Sequence, residues 1–300
     1  MSTPPAHEPR ISLRARLFAS AQCMLPHHPL SRVVLHMTRA RAPALKNLLI
    51  RSFVRSYQPR MSDAAEPDPL RYGSFNEFFT RALRVGARSI DTASETVVSP
   101  VDGAISQIGY LEERELLQAK GRSFGLDALL GGHSAWSERL AGGAYATLYL
   151  APRNYHRIHM PLPGRLQAAW YVPGRLFSVN AASVEAVSGL FARNERVACV
   201  FEHAGLAFAM VLVGALFVGS ISTVWHGDVT PRRPRRAVEL PEPGTQAAAT
   251  LAKGSEMGRF NMGSTVILLF PRHCVEWSSA FAAGMQVEVG QPLGRFCAAG

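Results

Sequence analysis

Residues 204–225 read AGLAFAMVLVGALFVGSISTVW, twenty-two positions without a charge. A run of that length is enough to cross a bilayer as a helix, so its conformation decides what kind of protein this is. Gly205, Gly214 and Gly219 divide it, and Val211, Val213, Val218, Ile221, Thr223 and Val224 are branched at Cβ. Branched side chains suit the pleated surface of a strand, whereas glycine weakens a helix interior. The run predicts two buried strands with a glycine bend between them; a membrane span is the alternative.

Other apolar runs after residue 73 have the same short, Gly- and Pro-punctuated character: AYATLYLA at 144–151, RVACVF at 196–201 and TVILLF at 265–270. They predict a β-rich core over 74–300. With 47% hydrophobic and 18% charged residues in 300, the chain is neither disordered nor a multi-span membrane protein. Cys23, Cys199, Cys274 and Cys297 lie far apart with no C-x-x-C pair, which argues against a disulfide framework or a cysteine zinc site.

The net charge of +10 is unevenly placed. Residues 1–60 hold ten Lys/Arg against a single acid, Glu8, so nine of the ten net charges sit there. Leu30, Val33, Val34 and Met37 recur at helical spacing, with Arg32, His36 and Arg39 on another face. Pro43 then marks a break and the first turn of a second helix, in which Leu45, Leu48, Leu49 and Phe53 oppose Asn47, Arg51 and Arg55. Apolar stripes flanked by arginines suit helices lying in an anionic lipid interface, and also suit a helix packed on the core. Arginines interrupt every apolar stretch near the start, so no secretory signal is expected; the Arg-rich, acid-poor arm also has the character of an organellar presequence. Residues 58–73 read as a polar linker. The expected fold is α+β, with basic amphipathic helices over 1–57 preceding the β-rich core.

Three short stretches offer chemistry. SPVDGAISQIG (99–109) places Asp102 before Gly103, YLAPRNYHRIHMPLPG (149–164) places His156 and His159 three apart, and MGSTV (262–266) places Ser264 after Gly263. The plain readings are a capped turn, a structural histidine pair and a loop-to-strand glycine. An H-x-x-H pair without a nearby cysteine or carboxylate does not complete a metal site. Asp, His and Ser together suit an acyl-transfer relay. No G-x-S-x-G elbow is present, which argues against an α/β-hydrolase.

In this order and spacing the three stretches resemble the phosphatidylserine decarboxylase proenzyme family. The resemblance extends to FNEFFTRALRVGARSID (75–91), LQAKGRSFGLDALLGG (117–132), YVPGRLFSVN (171–180), LFARNERVACVF (190–201), LVGALFVGSISTVW (212–225), KGSEMGRFNMGSTVILLF (253–270) and VEVGQPLGRF (287–296). It covers residues 30 to 296. Met262 stands where the family usually has leucine, a swap that conserves volume. The arginines at 232–236 have no counterpart in the resemblance.

The resemblance implies a chain that makes its own electron sink. Ser264 Oγ would attack the Gly263 carbonyl carbon to give an ester, and elimination would release residues 1–263 with a C-terminal carboxylate. The dehydroalanine left at 264 would lose ammonia on hydrolysis, leaving a pyruvoyl group, the covalent pyruvate cofactor, on chain 264–300. The same resemblance implies that Asp102 and His159 form the relay activating Ser264. The pyruvoyl carbonyl would then form a Schiff base with phosphatidylserine, and phosphatidylethanolamine and CO2 would leave. His156, one helical turn from His159 if the local chain is helical, is assigned to proton transfer in decarboxylation. The implied partners are phosphatidylserine, an anionic membrane surface and the two cleavage chains as a heterodimer, with homo-oligomers compatible and no nucleic acid or metal. The expected location is peripheral, on the cytoplasmic face of a bacterial membrane, with the mitochondrial inner membrane as alternative. Two rivals stay open: a pyruvoyl decarboxylase of a soluble amino acid, and a basic membrane- or nucleic-acid-binding module without activity.

Overall fold

The computed structural model describes residue 22 and residues 27–119, 122–216, 220–230, 236–240, 249–263 and 265–297. Ser264, the first 21 residues and the arginines at 232, 233 and 235 lie outside the described residues. Helices α1 (His27–Arg39), α2 (Pro43–Tyr57) and α3 (Phe75–Phe79) come first. The principal strands follow: β1 (Gly103–Tyr110), β2 (Ala144–Tyr149), β3 (Arg157–His159), β4 (Gly164–Val172), β5 (Arg196–His203), β6 (Leu206–Val213), β7 (Ile221–Thr223), β8 (Glu256–Phe260), β9 (Thr265–Phe270) and β10 (Gln286–Val287). This is the expected α+β architecture, with N-terminal helices and a β-rich core.

The main sheet is antiparallel and runs β4-β5-β6-β9-β2-β1-β10, with short strands Val238–Glu239 and Thr250–Leu251 both pairing β4. The uncharged run resolves into β6 and β7, with Gly214 just after β6, and no described helix is long and apolar enough to span a membrane. Strand β9 lies between β6 and β2, with Thr265 opposite both Val213 and Tyr149. Its six residues are all buried. Val266, Leu268 and Phe270 enter one core, while Ile267 and Leu269 enter the other. Burial on both faces explains why this strand lacks the apolar-polar alternation of a half-exposed one.

A second sheet, β7-β8-β3 with Gly227–Asp228 at its edge, carries the histidine segment. A third core joins the helices to this body. Ile50 and Phe53 of α2 pack on Phe75, Phe78 and Phe79 of α3, with Phe53 edge-on to all three rings at centroid distances of 5.4 to 5.8 Å. Ser74 caps α3 by accepting the Glu77 N–H, and the Glu77 carboxylate accepts the Gly73 N–H, which fixes where the three phenylalanines point. Residues 58–73, read as a linker, carry local structure. They form two 3-10 turns, Met61–Asp63 and Pro69–Arg71, and Lys46 Nζ donates to the Leu70 and Tyr72 carbonyls.

Candidate active site

Gly263 lies between β8 of the second sheet and β9 of the main sheet, one residue after Met262, which reaches the helical cluster. Residues leading to Gly263 are tightly held. The Phe260 N–H donates to the His156 carbonyl, and the Asn261 N–H donates to the Ser220 carbonyl. Asn261 Nδ2 donates to Ser222 Oγ at 2.8 Å, and Asn76 Nδ2, from α3, donates to the Asn261 carbonyl at 3.2 Å. Met262 packs against both the helical cluster and the sheet core.

His156 faces Gly263. Its segment turns tightly after β2, because Asn154 Oδ1 accepts the Ala151 N–H and the Asn154 carbonyl takes His156 Nδ1 at 2.9 Å. A carbonyl only accepts, so Nδ1 carries the proton and Nε2 presents a lone pair. Nε2 is buried without a hydrogen-bond partner among the described residues, and a Cβ built on Gly263 would stand 3.1 Å from it. Gly263 is therefore needed for close approach; its φ is not in the left-handed region. Phe79 covers the ring at a centroid distance of 4.1 Å. Burial, reinforced by the charge of Arg81, holds the His156 pKa at about 3, so the imidazole is neutral at physiological pH.

His159 closes β3 and is turned toward different partners. Nδ1 donates to the Gly254 carbonyl at 2.7 Å, and Nε2 meets the Tyr155 hydroxyl at 2.9 Å. Its pKa is lowered, chiefly by burial, with the Gly254 bond acting in the opposite sense. The conditional helical spacing of the two histidines does not arise, since residues 157–159 are strand.

Asp102 is buried at the start of β1, where Gly103 lets the strand press on β2: a Cβ there would collide with the Tyr149 carbonyl. Its carboxylate is gripped by Arg88, Nε to Oδ1 at 2.9 Å and Nη2 to Oδ2 at 2.5 Å, and Oδ1 also accepts the Val289 N–H at 2.9 Å. Arg88 also donates to Asp63 at 2.9 Å. Among the described residues no hydrogen bond joins Asp102 to His159, although the His159 N–H donates to the carbonyl of Pro100, two residues before Asp102. Thus the structure brings His156 to Gly263, and Asp102 and His159 to a neighbouring position where each already has partners. Sequence reasoning missed Tyr155, Arg88 and Asp63, because their roles come from contacts across 14 to 25 residues or from a turn whose shape no motif announces.

Beside Gly263 the described residues leave room for a pyruvoyl carbonyl to find partners. His156 Nε2 and Thr265 Oγ1 are buried polar atoms without partners among the described residues, and such atoms are scarce unless a ligand or reacting group completes them.

A family model described as phosphatidylserine decarboxylase matches residues 75–295, and one described as PSD matches residues 17–58. The chain is 50% identical over 288 residues to a phosphatidylserine decarboxylase proenzyme of Nitrosococcus oceani, covering 96% of this chain and 94% of the relative. It is 47% identical over 283 residues to one of Methylococcus capsulatus, covering 94% and 98%. With one of Bordetella pertussis it shares 49% over 279 residues, covering 93% and 94%.

Proposed function

The chain belongs to the phosphatidylserine decarboxylase family, and from that premise we propose that it is a self-processing enzyme that cleaves itself between Gly263 and Ser264 and converts phosphatidylserine to phosphatidylethanolamine and CO2. The observation that carries this reading is the unpartnered, neutral His156 Nε2 facing Gly263 at the mouth of a fully buried strand. The pyruvoyl group formed at Ser264 supplies a carbonyl that condenses with the substrate amine and takes up the electrons left by CO2.

The chain's own residues do the rest. In maturation His159 takes the Ser264 proton at Nε2, exchanging the Tyr155 hydroxyl for Ser264 Oγ, while the Gly254 carbonyl keeps the other ring nitrogen protonated. Asp102, bound to Arg88, supplies negative charge near the imidazolium that forms. After cleavage, β9 anchors Thr265, the next residue, between two strands, and His156 Nε2 serves as the proton carrier for decarboxylation. Phe79 and burial keep water from that nitrogen. The exposed Val33, Met37 and Leu48 and the arginines beside them support docking on an anionic bilayer, where the substrate resides.

One observation favours a second division of labour. His156, not His159, is the imidazole that faces Gly263, so His156 would take the serine proton and His159 would serve the later step. Intact mass and product assays on alanine variants separate the two. In the first division His159→Ala stays a single chain of 300 residues, and His156→Ala splits but forms little product. The second division reverses these results. Ser264→Ala must remain whole and inactive in either; cleavage of that variant at the same bond removes the self-processing reading.

A further inference from the structure

A cavity of about 930 Å³ lies beside the site, with Asp102 and the His159 partner Tyr155 in its wall. Its charges are unequally satisfied. Arg88 binds Asp63 and Asp102, and Arg60 binds Glu288 at 2.6 Å, so those three acids are countered. Asp91 accepts the Ala93 N–H. Arg81 and Arg153, which also line the cavity, form no ion pair among the described residues, and Asp102 and Asp63 act on Arg81 only through longer-range attraction.

Arg81 is the more unusual of the two. It follows α3 and is only 3% exposed. Its guanidinium makes one long hydrogen bond, Nη2 to the Arg153 carbonyl at 3.4 Å. Nε and Nη1 are buried with no partner among the described residues. The Phe78 ring, 5.8 Å from its central carbon, shields it further. A buried cation without a counter-ion costs stability, typically several kcal/mol, and a fold keeps such a group where an anion will complete it. Its charge is also among the causes that lower the His156 pKa, which places it within electrostatic reach of the imidazole facing Gly263.

We propose that Arg81, with exposed Arg153 at the rim, is the subsite that binds the phosphodiester of the substrate headgroup. This rests on the functional reading above and extends it to how the substrate is held. Phosphatidylserine has two anionic groups, and the chemistry chooses between them. The carboxylate loses its charge as CO2 departs, so a guanidinium on it would stabilise the ground state more than the transition state and slow the reaction. The phosphodiester keeps its charge throughout. Two N–H donors of one guanidinium match two of its oxygens, and holding it positions the serine amine at residue 264. Binding of this kind is uniform between ground and transition state, so its loss appears in KM. The carboxylate that Gly263 acquires on cleavage is the competing source of an anion for Arg81.

The test uses full-length Ser264→Ala protein, which cannot turn over, and the processed wild type. Thermal melts are recorded with glycerophosphoethanolamine, a phosphodiester without the serine carboxylate, and with serine methyl ester, which has no phosphate. The phosphodiester should raise Tm of the Ser264→Ala protein and the ester should not. Adding Arg81→Gln should weaken the phosphodiester at least about tenfold, the loss of ~1.4 kcal/mol. In the processed enzyme Arg81→Gln should raise KM for short-chain phosphatidylserine by a similar factor. Unchanged phosphodiester affinity in Arg81→Gln overturns the proposal. If Arg81→Gln lowers Tm only after processing, the Gly263 carboxylate is the occupant and the proposal is likewise overturned. Should Arg81→Gln not fold, the Ser264→Ala titration still decides: no preference for phosphodiester over ester refutes the subsite. Phosphodiester binding by a wild type that releases no CO2 from phosphatidylserine would instead sink the functional reading and leave the subsite standing.

Discussion

His156 Nε2 and Gly263 are in such close approach that a Cβ on the glycine would stand 3.1 Å from the nitrogen. The imidazole cannot easily retreat, since Phe79 packs on its ring and the Asn154 carbonyl holds Nδ1. Gly263→Ala should therefore displace the junction by a few tenths of an ångström and slow self-cleavage about tenfold or more, a barrier increase of ~1.4 kcal/mol. A time course of intact mass after synthesis measures this. Cleavage at the wild-type rate would mean the contact has no bearing on maturation.

The same burial makes stability depend on pH. The unfolded His156 titrates near 6.5, while burial holds the native group at about 3. Below 6.5 the unfolded state binds a proton that the native state refuses, so stability is full above that pH and declines as pH falls toward about 3. One such group contributes a slope of up to about 1.4 kcal/mol per pH unit. His159 and His203 are lowered as well and add in the same direction. Urea melts of Ser264→Ala between pH 7 and pH 4 should show the decline, and His156→Gln should flatten it. Equal slopes in the two proteins would assign the acid sensitivity elsewhere.

Arg88 is the hub that fixes Asp102. It binds Asp102 and Asp63 from a side chain that is almost wholly buried, and these acids raise its pKa, chiefly through the hydrogen bond to Asp102. Arg88→Met would leave Asp102 without its cation and Asp63 with only the more distant Arg60 at 3.7 Å. The expected loss is about 3–5 kcal/mol, the range for breaking a buried pair by removing one partner. Denaturant melts read this directly, and intact mass should show cleavage impaired as well. A loss under about 1 kcal/mol, the value of an exposed pair, would contradict the hub.

The two chains made by processing should stay together. Residues 265–270 pair with strands on both sides, and Val289 N–H donates to Asp102 across the two products. The pieces should co-elute in native size-exclusion chromatography and separate only in denaturant. Spontaneous release of the short chain in native buffer would conflict with this packing.

Membrane docking should depend on particular side chains and not on the whole arm. Val33 and Leu48 are 56% and 65% exposed, whereas Ile50 and Phe53 are core, so removing α2 would damage the fold. The paired change Val33→Asp and Leu48→Asp should reduce sedimentation with phosphatidylserine vesicles severalfold while Tm moves little. Added salt should weaken wild-type binding through screening. Vesicle binding insensitive to both treatments would reject an interfacial role for these helices.

Much of this architecture was legible in the residues themselves. Branched side chains and glycines at 204–225 predicted strands in place of a span, because local backbone preference acts within a few residues. Pro43 marked the helix break for the same reason. The spaced Asp102, His156, His159 and Ser264 named the chemistry through their resemblance to a family, not through any local rule. What the tertiary structure alone decided is who touches whom. Arg88 and Asp102 are 14 residues apart and Asn76 and Asn261 are 185 apart; their meetings depend on the packing of helices and sheets, to which no short stretch is sensitive. The packing of residues 58–73, the Tyr155 partner of His159 and the unpaired charge of Arg81 have the same origin. Periodicity and turn chemistry are local energies that a sequence displays. Burial and ion pairing are sums over neighbours that exist only once the chain has closed on itself.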